Sequence, residues 1–341
     1  MPTGATIVSG ALAGLQHVLA DRGLEPADLG RQSGVPAGAW SNARTQIPLT
    51  SFVALYEQGA DRLALPGLGW QSGPLLDLAD LGDLGTAILS APTVGQALKT
   101  FVRFIGFVQS ETDMRLEVED GVAMLSYRIL NPDIWPRRQD AEFTLSVLAA
   151  LIRRGAGPDW SPDLVCFEHA AARPARHWRE AVGAPCLFDC ETNWMSFSDT
   201  LLDCPMARED AGLHRSALDA LTHRLVASTR ARSLSGRIRM AIYAGLGQGT
   251  VDQETIARDL GLSRRSLHRH LSEEGTRFSA LLEDCRFRVA RHALADTAHP
   301  LTQIALELNY SDQTAFERAF KRHTGLTPRQ YRKAFGRPPH S

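Results

Sequence analysis

Apolar and polar positions run through the same order twice between residues 250 and 332. The first copy reads Ile256, Ala257, Leu260, Gly261, Leu262, Ser263, then Leu267, Arg269 and Leu271. The second reads Ile304, Ala305, Leu308, Asn309, Tyr310, Ser311, then Phe316, Arg318 and Phe320, with one extra residue in the turn. Each copy has the grammar of two helices crossing at a turn. The Ala beside the first apolar residue is small because the second helix crosses close over it. Gly261 and Asn309 stand where the chain must turn, and these residue types adopt positive φ most readily. Ser263 and Ser311 are placed to cap the helices that follow. Those helices are predicted over 264–271 and 313–323, burying Leu267 with Leu271 and Phe316 with Phe320 at i, i+4 spacing.

Between the copies, Phe278, Leu281, Leu282, Cys285, Val289 and Leu294 lie on one side of a pattern with Arg286, Arg288 and Arg291 on the other, which predicts one long connecting helix. Upstream, 6–22 carries Ile7, Leu12, Leu15, Val18 and Leu19 at helical spacing and ends at Gly23. Further helices are predicted over 26–33, over 49–65 with Thr50 or Ser51 as cap, over 82–89, and over 93–108 with Thr93 as cap. The period then changes to two. Met114, Leu116 and Val118 alternate with polar residues across 112–119, Asp120-Gly121 signals a tight turn, and 122–129 returns as the partner strand. A buried helix over 141–152, a strand over 164–167, a short helix over 174–182 and a second hairpin pairing 186–189 with 194–197 complete this half. A helix over 209–228 with Leu213, Leu218, Leu221 and Leu225 then leads to a hinge at 233–236. The predicted fold class is an α+β domain over 1–205, a linker helix and hinge over 206–236, and an all-α domain over 237–335 with two helix-turn-helix motifs joined by a long helix.

Charge sharpens this division. The chain of 341 residues has a formal net charge of -1, but 234–341 hold 17 Lys plus Arg against 11 Asp plus Glu, and the remainder holds 20 against 27. A basic C-terminal module on an acidic partner suits attraction to phosphate by one half only. No apolar run approaches the length of a membrane span, and 1–20 lacks the basic start and apolar core of a signal peptide, so the expected location is the cytoplasm. Cys166, Cys186, Cys190, Cys204 and Cys285 are odd in number and too sparse for a disulfide scaffold, which fits a reducing compartment. Their spacing matches no compact zinc signature, and no metal or other cofactor is expected. The chain also lacks a nucleophile elbow, a phosphate loop and a dinucleotide fingerprint. A non-enzyme is expected; the alternative is an enzyme domain tethered to a DNA-binding module.

The second helix of the first copy offers Arg264, Arg265, His268 and Arg269 outward, and that of the second copy offers Gln313, Thr314, Glu317, Arg318, Lys321 and Arg322. Arg can bond guanine O6 and N7 together, Gln can do the same to adenine, and a Thr methyl suits the methyl of thymine. One charged residue on a helix is an ordinary solvated position. Two such faces in register on a repeat point to base readout in double-stranded DNA.

This region resembles the DNA-binding domain of AraC/XylS-type transcription regulators. The likeness is carried by Ile304-Ala305, Leu308 through Gln313, Phe316, Arg318, Phe320-Lys321-Arg322, Gly325, Thr327-Pro328 and Tyr331-Arg332. It departs at Asn309, where the family usually has Gly, and at Tyr310, where Phe is common. The N-terminal half is similar to an effector-binding domain of some such regulators through Leu81-Gly82, Gly85, Pro92-Thr93, Trp178 with Gly183, and Leu201 to Pro205. The resemblance implies a ligand-responsive activator that reads two successive major grooves, takes a small-molecule effector, forms a homodimer and engages RNA polymerase. Trp70, Phe104, Phe107, Trp135, Arg137 and Arg138 are the candidate effector-lining residues, and each aromatic taken singly reads more readily as core.

Overall fold

In the computed structural model, which describes residues 4–171, 175–231, 233–246, 251–297 and 299–336, the chain enters the fold as a strand and not as a helix. β1 (Thr6–Val8) pairs antiparallel with β2 (Gln46–Pro48), setting Ile7 opposite Ile47, and α1 (Ala13–Asp21) starts later than its apolar spacing suggested. Thr6, Ile7 and Val8 are a run of β-branched residues, which favours extended backbone over a first helical turn. The helices α2 (Pro26–Gln32), α3 (Leu49–Arg62), α4 (Leu68–Ser72), α5 (Asp83–Leu89) and α6 (Val94–Phe104) follow. Thr93 caps α6 by accepting the Gln96 N–H at 3.2 Å. Neither Thr50 nor Ser51 caps α3. Both lie inside its first turn, and the Ser51 hydroxyl donates to the Gly34 carbonyl.

β3 (Thr112–Glu119) and β4 (Val122–Ile129) form the expected hairpin, with Asp120 and Gly121 at φ 49° and 82°. Two positive φ values in a two-residue loop are what matches the twist of the flanking strands. α7 (Arg138–Ala156) buries residues around most of its circumference, as a helix at the centre of a domain must. β5 (Leu164–Cys166), α8 (Ala175–Val182), β6 (Cys186–Leu187) and β7 (Asn193–Ser198) complete a sheet of order β3-β4-β7-β5-β6.

The hairpin expected between 186–189 and 194–197 is corrected by this order. β6 runs parallel to β5 at the sheet edge, whereas β7 lies between β4 and β5, antiparallel to both. The inward positions Asn193, Met195 and Phe197 are buried, so β7 fits a central place that a two-residue strand with an exposed Leu187 could not fill. α9 (Ala211–Ala231) buries His214, Ala217 and Leu221 while leaving Leu213 exposed, so its inward stripe is rotated from the leucine pattern. His214 Nδ1 lies 2.7 Å from the Ala87 carbonyl, which supplies the partner that a buried imidazole needs.

The structure divides into two units, Met1–Ile129 with Pro136–Ser228, and Leu130–Trp135 with Thr229–Ser341. The second contains α10 (Leu234–Gly245), α11 (Gln253–Asp259), α12 (Arg264–Glu273), α13 (Phe278–Asp296), α14 (Leu301–Glu307), α15 (Gln313–Thr324) and α16 (Pro328–Phe335). The expected hinge at 233–236 is instead the start of α10. Ser233 accepts the Gly236 N–H, and the Glu274 carboxylate accepts those of Leu234 and Ser235 at 2.8 and 3.0 Å. These acceptors satisfy amides that a helix start leaves without intrahelical partners.

Two hydrophobic clusters share α13. Leu281 and Cys285 join Ile238, Ile242, Ile256, Leu267 and Leu271, whereas Ala290, Ala293 and Leu294 join Ile304, Ala305, Phe316 and Phe320. Val289 packs against both. Among the described residues, no helix is long and apolar enough to cross a membrane.

Candidate nucleic-acid interface and effector domain

The two turns of the repeat are closed by the same hydrogen bond. Leu262 N–H donates to the Ala257 carbonyl at 2.8 Å, and Tyr310 N–H donates to the Ala305 carbonyl at 2.9 Å. Gly261 takes φ 69° and Asn309 takes φ 56°, so Asn adopts the left-handed conformation that the turn requires. From α13, Arg286 donates to the Asn309 carbonyl at 2.6 Å and stands over the Tyr310 ring at 4.7 Å. The sequence pattern places Arg286 only as one of three polar-side arginines; its seat over Tyr310 is a contact in space that no spacing in the chain reveals.

Ser263 caps α12 as expected, accepting the Ser266 N–H at 3.1 Å. The cap expected at Ser311 belongs to Asp312, whose carboxylate accepts the Ala315 N–H at 2.7 Å while the Ser311 hydroxyl donates to it at 3.1 Å. The extra residue in the second turn moves the cap on by one. The Ala315 N–H and the Ser311 hydroxyl hold the Asp312 carboxyl below its ordinary range, and a charged carboxylate is favoured at a helix N-terminus.

With Leu267 and Leu271 buried, α12 presents Arg264, Arg265, His268 and Arg269 to solvent. With Phe316 and Phe320 buried, α15 presents Thr314, Arg318, Lys321 and Arg322, and Gln313 is half-buried. Arg265 with Arg269, and Thr314 with Arg318, are one helical turn apart and share a face. Some of these groups already have neighbours: Arg269 lies 3.8 Å from Glu273, Gln313 donates to Glu317 at 2.7 Å, and Arg322 pairs with Glu283 of α13. Arg264, Arg265, His268, Arg318 and Lys321 stand exposed on these two faces.

The effector candidates fall into separate neighbourhoods. Arg137 donates to both Glu168 oxygens, at 2.7 and 3.0 Å, and to the Ile129 carbonyl at 2.6 Å. Arg138 donates to Glu57 at 2.9 and 3.1 Å. Trp70 is buried, its indole N–H donating to the Ala181 carbonyl at 3.2 Å and its ring meeting Phe167 edge-on. Phe104 and Phe107 stack on each other at 6.2 Å, with the Arg103 guanidinium over the first and that of Arg224 over the second. Trp135 belongs to Leu130–Trp135, the segment grouped with the second unit. Missing from the candidates are Glu142, His169 and Trp178, which sit together beside Trp70 in a buried polar cluster.

A duplicated helix-turn-helix with two exposed cationic faces, carried on the same chain as a mixed α and β domain that buries a few polar groups within an apolar core, is the architecture of a DNA-binding regulator with a sensory domain. The chain matches the family model for the arabinose-binding domain of AraC transcription regulators over residues 23–206, and a helix-turn-helix domain model over 256–334. It is 30% identical over 269 residues to the ornithine utilization regulator of Pseudomonas aeruginosa, covering 79% of each chain. It is 29% identical over 342 residues to the transcriptional regulator VirS of Mycobacterium tuberculosis, covering 98% of each. The transcriptional activator NphR of a Rhodococcus species matches at 30% over 146 residues, 40% of this chain and 43% of that one. The chain belongs to the AraC family of transcription regulators. It is a regulator with an effector-binding N-terminal domain and a helix-turn-helix DNA-binding domain, not an enzyme.

Proposed function

We propose that the protein is a ligand-responsive activator whose helices α12 and α15 enter two successive major grooves of double-stranded DNA. The duplication supports this most directly: two turns closed by the same bond each carry an exposed cationic helix. α13 has 19 residues, about 28 Å of helix, on the scale of the roughly 34 Å repeat of grooves on one face of B-DNA. Arg269 and Arg318 contact base edges; Arg264, Arg265, His268, Gln313, Thr314, Lys321 and Arg322 complete the readout and the phosphate contacts.

In this reading, the domain over 1–205 takes the small-molecule effector and self-associates, and 206–236 couples it to the reader over 237–335. The protein acts in the cytoplasm as a homodimer and engages RNA polymerase. The acidic N-terminal half, the family membership and an activator among its relatives support these roles.

Titration of labelled DNA from beside the protein's own coding region, at several salt concentrations, tests the DNA contact. Affinity should fall steeply with salt because each phosphate contact releases counterions. Arg269→Ala and Arg318→Ala should each lose about 1–3 kcal/mol on that DNA and relax preference in different parts of the site. Lys333→Ala, at an exposed position of α16, should weaken all sequences alike. Equal losses on every sequence for Arg318→Ala would instead assign that side chain to the phosphate backbone.

A further inference from the structure

The interior of the first unit holds more acid than base. Arg137 is matched by Glu168 and Arg138 by Glu57, with Asp61 a further 3.9 Å neighbour of Arg138. Glu142, one turn along α7 from Arg138, feels that charge but makes no ion pair with an arginine or lysine among the described residues. Its Oε1 lies 3.3 Å from His169 Nε2. Among the described residues, Glu142 Oε2, His169 Nε2 and Trp178 Nε1 lack a hydrogen-bond partner of good geometry, although these residues are only 1%, 5% and 3% exposed.

His169 Nδ1 faces the Ala170 carbonyl at 3.0 Å, which sets the proton of the neutral ring on Nδ1 and leaves Nε2 as an acceptor. Burial keeps that ring neutral by lowering it to about 4, and burial together with the Glu57 charge holds the Glu142 carboxyl well above its ordinary range. A proton shared between Glu142 and His169 leaves Glu142 Oε2 without a partner of good geometry, the Trp70 backbone N–H being the other group that faces this carboxyl. Buried polar atoms are nearly always met by protein, water or ligand.

The surroundings decide which kind of ligand fits. Phe167 stacks on the His169 ring at 5.0 Å, Phe188 lies 5.6 Å from it, and Trp178 lies 5.6 Å from both phenyl rings. Two adjacent acceptors beside ring faces, with a net acidic neighbourhood, match an ammonium ion. It brings three N–H donors and a charge that π faces attract, whereas an anion would meet a single side-chain donor, the Trp178 indole N–H, against the Glu142 carboxyl and the His169 acceptor.

We propose that Glu142 and His169, walled by Phe167, Trp178 and Phe188, seat the ammonium head of a small organic amine, and that amines are the effector class of this regulator. The proposal rests on the effector-binding role of this domain and narrows its ligand. On filling, Glu142 releases its proton to solvent and the carboxylate pairs with the ammonium, so the site exchanges one positive charge for another.

The test uses the full chain with butylamine, 1,4-diaminobutane and butan-1-ol as probes, followed by tryptophan fluorescence and thermal melting. The amines should change the fluorescence and raise the melting midpoint saturably, and the uncharged alcohol should do neither at the same concentrations. Glu142→Gln keeps the side chain's shape and should weaken amine binding about tenfold or more. Phe188→Leu, at a half-buried ring, should weaken it about threefold. Amines acting no better than the alcohol, or binding both variants as tightly as the parent, would overturn the proposal. A sugar or fatty acid that binds saturably while amines stay inert would overturn it and leave the effector-binding role standing. Inertness toward every class would count against both.

Discussion

Replacing Arg137 by Met, with Glu168 left in place, is expected to cost about 3–5 kcal/mol of stability. The guanidinium donates twice to Glu168 and once to the Ile129 carbonyl, and both side chains of the pair are largely buried. Removing one partner strands a carboxylate where water cannot reach it easily, which is the costly way to break such a pair. The double variant Arg137→Met with Glu168→Leu should recover most of the loss in urea denaturation, because it removes both charges together. Burial alone would raise the Glu168 carboxyl, but Arg137 outweighs that and holds it below the ordinary carboxylate range. A depressed carboxylate stabilises the folded state above its unfolded pKa, and this stability is lost as pH falls through the lower folded value. The cost of Arg137→Met should therefore be largest near neutrality and shrink in acid, where the stranded Glu168 is protonated. A cost independent of pH would mean that lost packing, not the charge pair, dominates.

Phe316→Ala is expected to remove about 3–5 kcal/mol and, with it, the second reading head. The ring is fully buried and meets Tyr310 at 5.6 Å and Phe320 at 5.7 Å, so truncation opens a cavity at the centre of its cluster. The first head draws on a different cluster around Leu267 and Leu271. Hydrogen exchange should show α14 to α16 losing protection while α11 and α12 keep theirs, and DNA affinity should drop to that of one head. Loss of protection across both heads at once would show that α13 makes the two clusters a single cooperative unit.

What could be read from the sequence was whatever rests on local periodicity. The repeat announced itself because each turn needs a small residue at Ala257 or Ala305 and a residue tolerant of positive φ at Gly261 or Asn309, and the β3–β4 hairpin because Asp120-Gly121 suits so few other conformations. Pairings between distant segments left no such trace. β7 carries the alternation of a half-buried strand, but nothing in 193–198 states that β4 and β5 are its neighbours, and proximity in sequence argued wrongly for β6. The same holds for polar chemistry: Glu142 and His169 are far apart along the chain, and nothing in the spacing of either points to the other. Arg137 and Arg138, picked out as candidate ligand contacts, are drawn largely into ion pairs with Glu168 and Glu57 whose partners no spacing reveals.

The continuity of α13 has a consequence for how operators can diverge. One residue inserted into that helix turns whatever follows by about 100° and lengthens it by about 1.5 Å. One base pair added between half-sites turns DNA by only about 35° while lengthening it by about 3.4 Å. Because one inserted residue matches one inserted base pair in neither turn nor length, the phasing of the proposed half-sites is not easily shifted one step at a time. On the proposed reading, the bases met by α12 and α15 remain open to drift one substitution at a time.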